Sequence, residues 1–238
     1  MKRHYSILSL MFLLFSCGEH TQLEDKSGQS ERVEFQEVND STSIKSTYYE
    51  NNRLHQVETL INGINEGIFK SYRKDGSPIQ YRTYKFNKLI GALTNYNLNG
   101  KLMDYHFIWE NCGVCDSSDA SPFFSVEYDT IGQVKSQQGH PIVEVVPNKK
   151  IIRATDSLKL SFVLAKPEGL STQYRVFDVM HDTNTRLMLR DNPPEFHSEF
   201  VKFESTGLRD ILIEYFLVEN GADSVSKYTY LIKDIEIK

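Results

Sequence analysis

A 24-residue internal repeat is the feature that most constrains the fold of this 238-residue chain. Its tyrosines Tyr48, Tyr72 and Tyr96 are followed at the same interval by turn-forming dipeptides: Asn51-Asn52, Asp75-Gly76 and Asn99-Gly100. Asp-Gly and Asn-Gly are typical of two-residue hairpin turns, in which both central residues have positive φ, and Asn adopts positive φ readily. Each unit therefore predicts a β-hairpin. Because one hairpin is only marginally stable in water, the units should pair into one elongated sheet.

Three segments that carry this repeat resemble a known family. Residues 48–54 (YYENNRL), 62–72 (NGINEGIFKSY) and 96–102 (YNLNGKL) are similar to the MORN-variant repeat, which also occurs in YwqK-like proteins of the antitoxin type. The resemblance covers 48–108, with a degenerate copy at 128–134. It implies an extended array of β-hairpins and brings no catalytic residues with it. An antitoxin-like role is one functional alternative that it suggests.

The fourth repeat unit contains an insertion with a cysteine pair. Tyr96 and Tyr128 lie 32 residues apart, eight more than one period, and the excess falls around Cys112 and Cys115. In an exported chain a Cys-Gly-Val-Cys segment forms a disulfide by default. Free thiols, or a metal or redox centre, remain alternatives. A thioredoxin-like centre requires a βαβ context, and zinc requires two further ligands.

The N-terminus has the pattern of an export signal. Lys2 and Arg3 precede a short apolar run at 7–15, which is too short to cross a bilayer as a helix. The following segment, Leu14-Phe15-Ser16-Cys17, resembles the lipobox of bacterial lipoproteins. The resemblance implies that 1–16 is removed, that Cys17 is acylated and that the chain is held at a membrane, most consistently the outer membrane. Two or more acyl chains make such an anchor stable. An ordinary secreted protein is the alternative.

Residues 17–45 are predicted to be a flexible, lipidated tether. The stretch from 18 to 45 holds seven acidic and three basic side chains and few large apolar groups. Such a composition cannot bury enough apolar surface to offset the entropy of ordering. Val33 and Phe35 mark the one place where an edge strand is an alternative.

The C-terminal part, 139–238, predicts an immunoglobulin-like β-sandwich. Apolar and polar residues alternate over 158–164 and 211–217, the pattern of strands with one buried face. Six or seven such strands in about 98 residues fit a sandwich of this class. No Cys follows Cys115 and the single Trp is Trp109, so the likeness is architectural. The chain as a whole is expected to be all-β, with hairpin repeats over 46–138.

The aromatic residues of the repeats have two interpretations. Aromatics that alternate along strands usually fill the buried face of a sheet, and this is our prediction here. An exposed face that binds a sugar or a peptide is the alternative. The residues concerned are Tyr72, Tyr81, Tyr84, Phe86 and Tyr96.

No motif in the sequence indicates catalysis, a cofactor or a metal site. His181-Asp182 and His197-Ser198-Glu199 are interpreted as solvated surface side chains. The chain has a net charge of −5 and no basic cluster, which argues against nucleic acid as a partner. We therefore expect a non-enzymatic, lipid-anchored envelope protein that contacts the membrane through its anchor and binds an envelope protein partner. A carbohydrate- or ligand-binding surface lipoprotein is the alternative.

Overall fold

The computed structural model describes residues 22–24, 30–109, 122–180, 183–219 and 225–238. Within these ranges the chain forms strands and turns and no helix, which confirms the all-β prediction. Accordingly, these ranges offer no apolar helix of membrane-spanning length. The signal segment, Cys17, Cys112 and Cys115 lie outside the described residues, as do most residues of the proposed insertion.

The first half of the chain is one antiparallel sheet whose ten strands follow each other in chain order. This arrangement confirms the predicted elongated hairpin sheet. The strands are β1(Gln22–Glu24), β2(Ser30–Asn39), β3(Thr42–Tyr48), β4(Leu54–Ile61), β5(Ile64–Tyr72), β6(Pro78–Lys85), β7(Lys88–Tyr96), β8(Leu102–Ile108), β9(Phe124–Tyr128) and β10(Val134–Gly139).

The predicted flexible tether is wrong over 30–45, because β2 and most of β3 occupy that segment. Val33 lies opposite Thr47, and both side chains are buried. The backbone of β2 forms hydrogen bonds with that of β3. A prediction from the composition of 18–45 does not take such pairing between strands into account. The sheet therefore begins well before the first recognisable repeat.

The repeat turns form three-residue loops, so the prediction of two-residue turns at these positions is wrong. In the first loop the Tyr49 N–H donates to the Arg53 carbonyl and the Asn52 N–H donates to the Tyr49 carbonyl. Only the second residue of each dipeptide has positive φ, 60° at Asn52, 92° at Gly76 and 72° at Gly100. This is a type I turn followed by one left-handed residue.

The first residue of two of these dipeptides explains the turn type. The Asn51 and Asp75 side chains accept hydrogen bonds from the backbone N–H groups of Arg53 and Ser77. Such a side-chain contact favours an Asx-type turn at the first position over a left-handed conformation. Asn99 occupies the same position in the third loop, where the Asn97 side chain accepts from the Asn99 N–H instead.

Two-residue turns connect the strands at their other ends, on the opposite side of the same sheet from the three-residue loops. Asn62-Gly63 and Phe86-Asn87 both have two successive residues with positive φ, at 51° and 77° and at 50° and 62°. These are type I′ turns, which match the twist of the flanking strands. The two loop types therefore alternate along the chain, each at one end of the strands, and both recur every 24 residues.

The second half of the chain forms a sandwich of two sheets. One has the order β11-β13-β16 and the other β12-β18-β17-β14-β15, and β12 pairs parallel with β18 while the other pairs are antiparallel. The segment that begins the sandwich thus contributes β11 to one sheet and β12 to the other. The strands are β11(Ile142–Pro147), β12(Ile151–Ile152), β13(Leu158–Leu164), β14(Leu170–Met180), β15(Thr183–Asp191), β16(Phe196–Val201), β17(Gly207–Glu219) and β18(Val225–Ile237).

One hydrophobic core joins the end of the long sheet to the sandwich. Tyr105, Phe107, Phe124, Val126 and Tyr128 of β8 and β9 belong to the same buried cluster as the inward-facing residues of β13, β14 and β17. By contrast, Val33 is the single buried hydrophobic side chain among the described residues of β2–β6. The sandwich covers one end of the sheet, and the N-terminal strands continue beyond it as a single layer.

Candidate binding cleft at the sheet–sandwich junction

The loop between β13 and β14 is seated on tyrosines of the long sheet. The Tyr128 hydroxyl donates to the Glu168 carbonyl at 2.7 Å, and the Lys166 N–H donates to the Tyr105 hydroxyl at 2.9 Å. The Tyr96 hydroxyl also donates to the Glu168 carboxylate. These bonds satisfy phenolic groups that would otherwise be costly to bury, and they position the loop on the sheet.

Aromatic contacts on either side of this loop complete the junction. The ring of Phe196 lies 5.7 Å from that of Trp109, and the ring of Tyr228 lies 6.0 Å from that of Phe124. The Tyr228 hydroxyl also donates to the Gln137 side chain at 2.8 Å. Because both flanks are packed, we expect the sheet and the sandwich to move as one unit.

A cavity of about 310 Å³ opens where the single-layer part of the sheet leaves the sandwich. We call it the junction cleft. Its sheet side includes Ile68, Lys70, Tyr81 and Thr94, and its sandwich side includes Lys166 and Glu195. The volume is at the lower end of the range for small-molecule pockets. The cleft combines aromatic, hydroxyl and charged groups in one concave site.

Burial perturbs the acid–base behaviour of the cleft. Desolvation raises the pKa of Glu195 to about 7, and the neighbouring Tyr105 hydroxyl and the Lys166 charge only partly oppose this shift. The pKa of Tyr81 is also raised, first by burial and then by its interactions with Tyr72 and Glu168. The hydroxyls of Tyr81 and Tyr105 therefore stay protonated at neutral pH and can donate hydrogen bonds, whereas Glu195 gains and loses its proton near neutrality.

The structure divides the repeat aromatics between buried and exposed positions. Tyr96 is buried, as predicted, at 7% exposure, whereas Phe86 is 63% exposed and lies in a left-handed turn. The prediction of a buried position is therefore wrong for Phe86. Tyr72, Tyr81 and Tyr84 are half-buried. These tyrosines lie on β5 and β6, and no described residue of these two strands belongs to the buried cluster that the long sheet shares with the sandwich.

His197 and Glu199 are not the solvated surface side chains that the sequence suggested. They face the space between the two sheets, where His197 stacks on Phe162 at 4.9 Å and lies 3.2 Å from the Tyr174 hydroxyl. Glu199 accepts from Arg190 at 2.8 Å, and this contact holds the pKa of Glu199 below its ordinary value. Burial lowers the pKa of His197. His181 and Asp182 lie outside the described residues.

The sequence alone does not predict this cluster, because the residues of β16 that face inward are mostly polar. In β16 the alternation places His197, Glu199 and Val201 inward, but only Val201 is apolar. A count of polar residues therefore favours a surface position. The residues of the cluster form hydrogen bonds with one another, and these bonds join β16 of one sheet to β14 and β15 of the other.

The remaining predicted site residues do not converge on the junction cleft. Asn51, Asn52, Asp75, Gly76, Asn99 and Gly100 lie in loops along one edge of the long sheet. Among the described residues, no three His, Cys, Asp or Glu side chains come together in a way that could hold a metal ion.

Comparisons of the chain with protein-family models, with curated proteins and with solved structures return no match.

Proposed function

We propose that this chain is a lipid-anchored cell-envelope protein that acts without catalysis as an interaction module. The observation that carries this proposal is the single-layer sheet of β2–β6, which extends from the sandwich. Apart from Val33, Thr47 and Ser71, the side chains whose burial is described in these strands are at least partly exposed. Large exposed β-surfaces of this kind are suited to binding another macromolecule. The partner in this proposal is another envelope protein.

The sheet face that points away from the sandwich has side chains held in place by their neighbours. Lys45 pairs with Glu58 at 3.1 Å on adjacent strands, and the Arg82 guanidinium lies over the Phe69 ring at 5.5 Å. The Asn95 amide donates to the Asp104 carboxylate at 2.5 Å. Side chains that are ordered before binding lose less conformational entropy when a partner arrives. This pre-organisation favours a recognition role for the face.

In-cell photo-crosslinking tests the interaction role. A photo-reactive amino acid at Phe69, on the outward face, should give a reproducible crosslink to one or a few envelope proteins in intact cells. The same amino acid at Lys202, an exposed position of the sandwich, serves as the matched control. If Phe69 crosslinks no specific protein, or the same set as Lys202, the proposal fails.

The membrane attachment has its own test at Cys17. Intact-mass analysis should show a processed chain that begins at this cysteine and carries two or more acyl chains, since one chain gives only marginal binding. A Cys17→Ser variant should lose the acyl mass and leave the membrane fraction. A processed N-terminus without acyl groups would overturn the anchor and leave an ordinary secreted protein.

Ligand binding in the junction cleft is a second candidate function. The half-buried tyrosines Tyr72 and Tyr81 beside the cavity favour it, because an amphipathic ring provides contact area and a hydrogen bond together. Alanine variants of both, screened on a glycan array, should lose binding while their unfolding midpoints stay near that of the parent protein. Equal loss of binding and stability would assign the tyrosines a structural role.

The antitoxin-like alternative depends on the repeat resemblance alone. It requires a cytoplasmic pool of chain that retains residues 1–16. Fractionation with an antibody against the sandwich tests this directly, and an entirely processed population would exclude it.

A further inference from the structure

The 24-residue repeat places two equivalent tyrosine pairs on one face of the long sheet. Tyr72 and Tyr81 lie exactly one period before Tyr96 and Tyr105. The register pairs Lys70 with Tyr81, Tyr81 with Thr94 and Thr94 with Tyr105, so these side chains project to the same side. That side is the one on which the sandwich sits.

The second tyrosine pair already binds a peptide loop. Tyr96 donates to the Glu168 carboxylate, and Tyr105 accepts from the Lys166 N–H. The bound segment is therefore Lys166-Pro167-Glu168, held through one carboxylate and one backbone group. The second pair therefore contacts a peptide segment through one hydroxyl that donates to a carboxylate and one that accepts from a backbone N–H.

The first pair continues the same row of rings and faces the junction cleft. The Tyr81 ring lies 5.0 Å from Tyr96 and 6.3 Å from Tyr72. Both Tyr72 and Tyr81 are half-buried, and Tyr81 lines the cavity. The first pair thus presents the same groups as the second, next to a space large enough for a short peptide segment.

The unit with Tyr72 and Tyr81 carries a charged residue that the next unit lacks. Lys70 stands where the next unit has Thr94, and its ammonium lies 5.0 Å from the centre of the Tyr81 ring. Within the described part of the chain, Lys70 makes no ion pair. The nearby Glu168 carboxylate is already bound to Tyr96. A ligand carboxylate would therefore supply a counter-ion for Lys70.

We propose that Tyr72, Tyr81 and Lys70 form a second docking position, which binds a carboxylate-bearing peptide segment of a partner protein. By analogy with the second pair, the Tyr72 hydroxyl donates to the ligand carboxylate and the Tyr81 hydroxyl accepts from a ligand backbone N–H. The Lys70 ammonium pairs with the same carboxylate. The inference rests on the proposed interaction role. It names the chemistry of a partner contact on the sandwich-side face, opposite the face that carries Phe69.

A titration with the chain's own loop sequence tests the proposal. The probe is the blocked peptide AKPEGLS, which copies residues 165–171. Chemical-shift changes of the purified protein, followed to about 5 mM peptide, detect even the millimolar affinity expected of a short linear ligand. We expect the largest shifts at Lys70, Tyr72 and Tyr81. The peptide with Gln in place of Glu should bind at least about fivefold more weakly, because its charge-assisted bond is lost.

Matched variants separate the docking position from general surface effects. Lys70→Gln and Tyr81→Phe should each weaken binding, whereas Lys88→Gln and Tyr84→Phe, which alter the same residue types elsewhere on β6 and β7, should not. No shift at the highest concentration, equal binding of the Gln peptide, or an effect of the control variants as large as that of Lys70→Gln would overturn the proposal. The titration and the crosslinking experiment can fail independently of each other.

Discussion

The Tyr96 hydroxyl and the Glu168 carboxylate are joined by a hydrogen bond of 2.5 Å that connects the long sheet to the sandwich. The two residues lie 72 positions apart in the chain. Burial and the adjacent carboxylate raise the pKa of Tyr96 well above its ordinary value, so the phenol remains protonated and keeps donating. The contact is one of three hydrogen bonds by which tyrosines of the long sheet hold the β13–β14 loop.

Removing this hydroxyl should weaken the junction measurably. We expect Tyr96→Phe to lower the free energy of unfolding by about 1 kcal/mol, because one hydrogen bond is lost and Glu168 can regain water. Tyr72→Phe, at the same position one repeat earlier, should change it by less than about 0.5 kcal/mol. Urea denaturation measures both. Equal effects of the two variants would contradict a special role for the Tyr96–Glu168 contact.

The sandwich contains a buried ion pair whose disruption should be more costly. The Arg209 guanidinium lies 3.3 Å from the Asp178 carboxylate, and its side chain is 3% exposed. Arg209→Met leaves Asp178 without its counter-ion, and we expect a loss of about 3–5 kcal/mol. Lys149→Met breaks the exposed Lys149–Asp156 pair and should cost less than about 1 kcal/mol. Equal midpoints in urea would show that Asp178 regains solvent.

Gly139 ends the long sheet where a side chain cannot be accommodated. Its φ is 87°, and a Cβ there would lie 2.2 Å from the Phe123 carbonyl oxygen. Gly132 has φ 91° with no atom within 4 Å of its Cβ position, so it isolates the backbone strain. We expect Gly132→Ala to cost about 1–2 kcal/mol and Gly139→Ala clearly more. Thermal denaturation compares them, and a similar loss in both would mean that β9 shifts freely.

Glu195 should make stability depend on pH near neutrality. Its folded-state pKa of about 7 is above the ordinary carboxyl value, so the folded chain binds more protons than the unfolded chain between these values. The stabilising contribution is complete at acidic pH and is lost as the pH rises through 7. Glu195→Gln should remove this component.

The pH experiment compares two denaturation series from pH 5 to pH 8. The difference in unfolding free energy between the parent protein and Glu195→Gln should change progressively in favour of the variant as the pH rises. A constant difference would show that the pKa of Glu195 is not raised in the fold, and that its carboxyl is ionised across this range.

The periodic features of the sequence were sufficient to predict the sheet. Tyrosines and turn dipeptides recur with the hairpin period, and this pattern specifies antiparallel neighbours directly. The exact turn type did not follow, because the Asn51 and Asp75 side chains select a type I turn through contacts that the dipeptide alone does not specify. Asn62-Gly63 forms a two-residue turn although it is the same dipeptide as Asn99-Gly100, so the dipeptide alone does not distinguish the two turn types.

Long-range packing accounts for the other differences. β2 depends on pairing with β3, and the inward orientation of His197 depends on Phe162 and Tyr174, which are distant in sequence. The seating of Glu168 on Tyr96 and Tyr128 could not be predicted, because nothing in either segment specifies the other. Local patterns in the sequence are sufficient to predict most of the strands. The junction cleft, by contrast, results from contacts between the long sheet and the sandwich.

The alternating loops make the long sheet a molecular spacer of adjustable length. Each 24-residue unit contributes two strands, and adjacent strands are about 4.8 Å apart, so one unit adds about 10 Å between the first strand and the sandwich. Gain or loss of a unit in the single-layer region would leave unchanged the hydrogen bonds between the tyrosines of the sheet and the β13–β14 loop. Reach can therefore evolve separately from the domain at the far end.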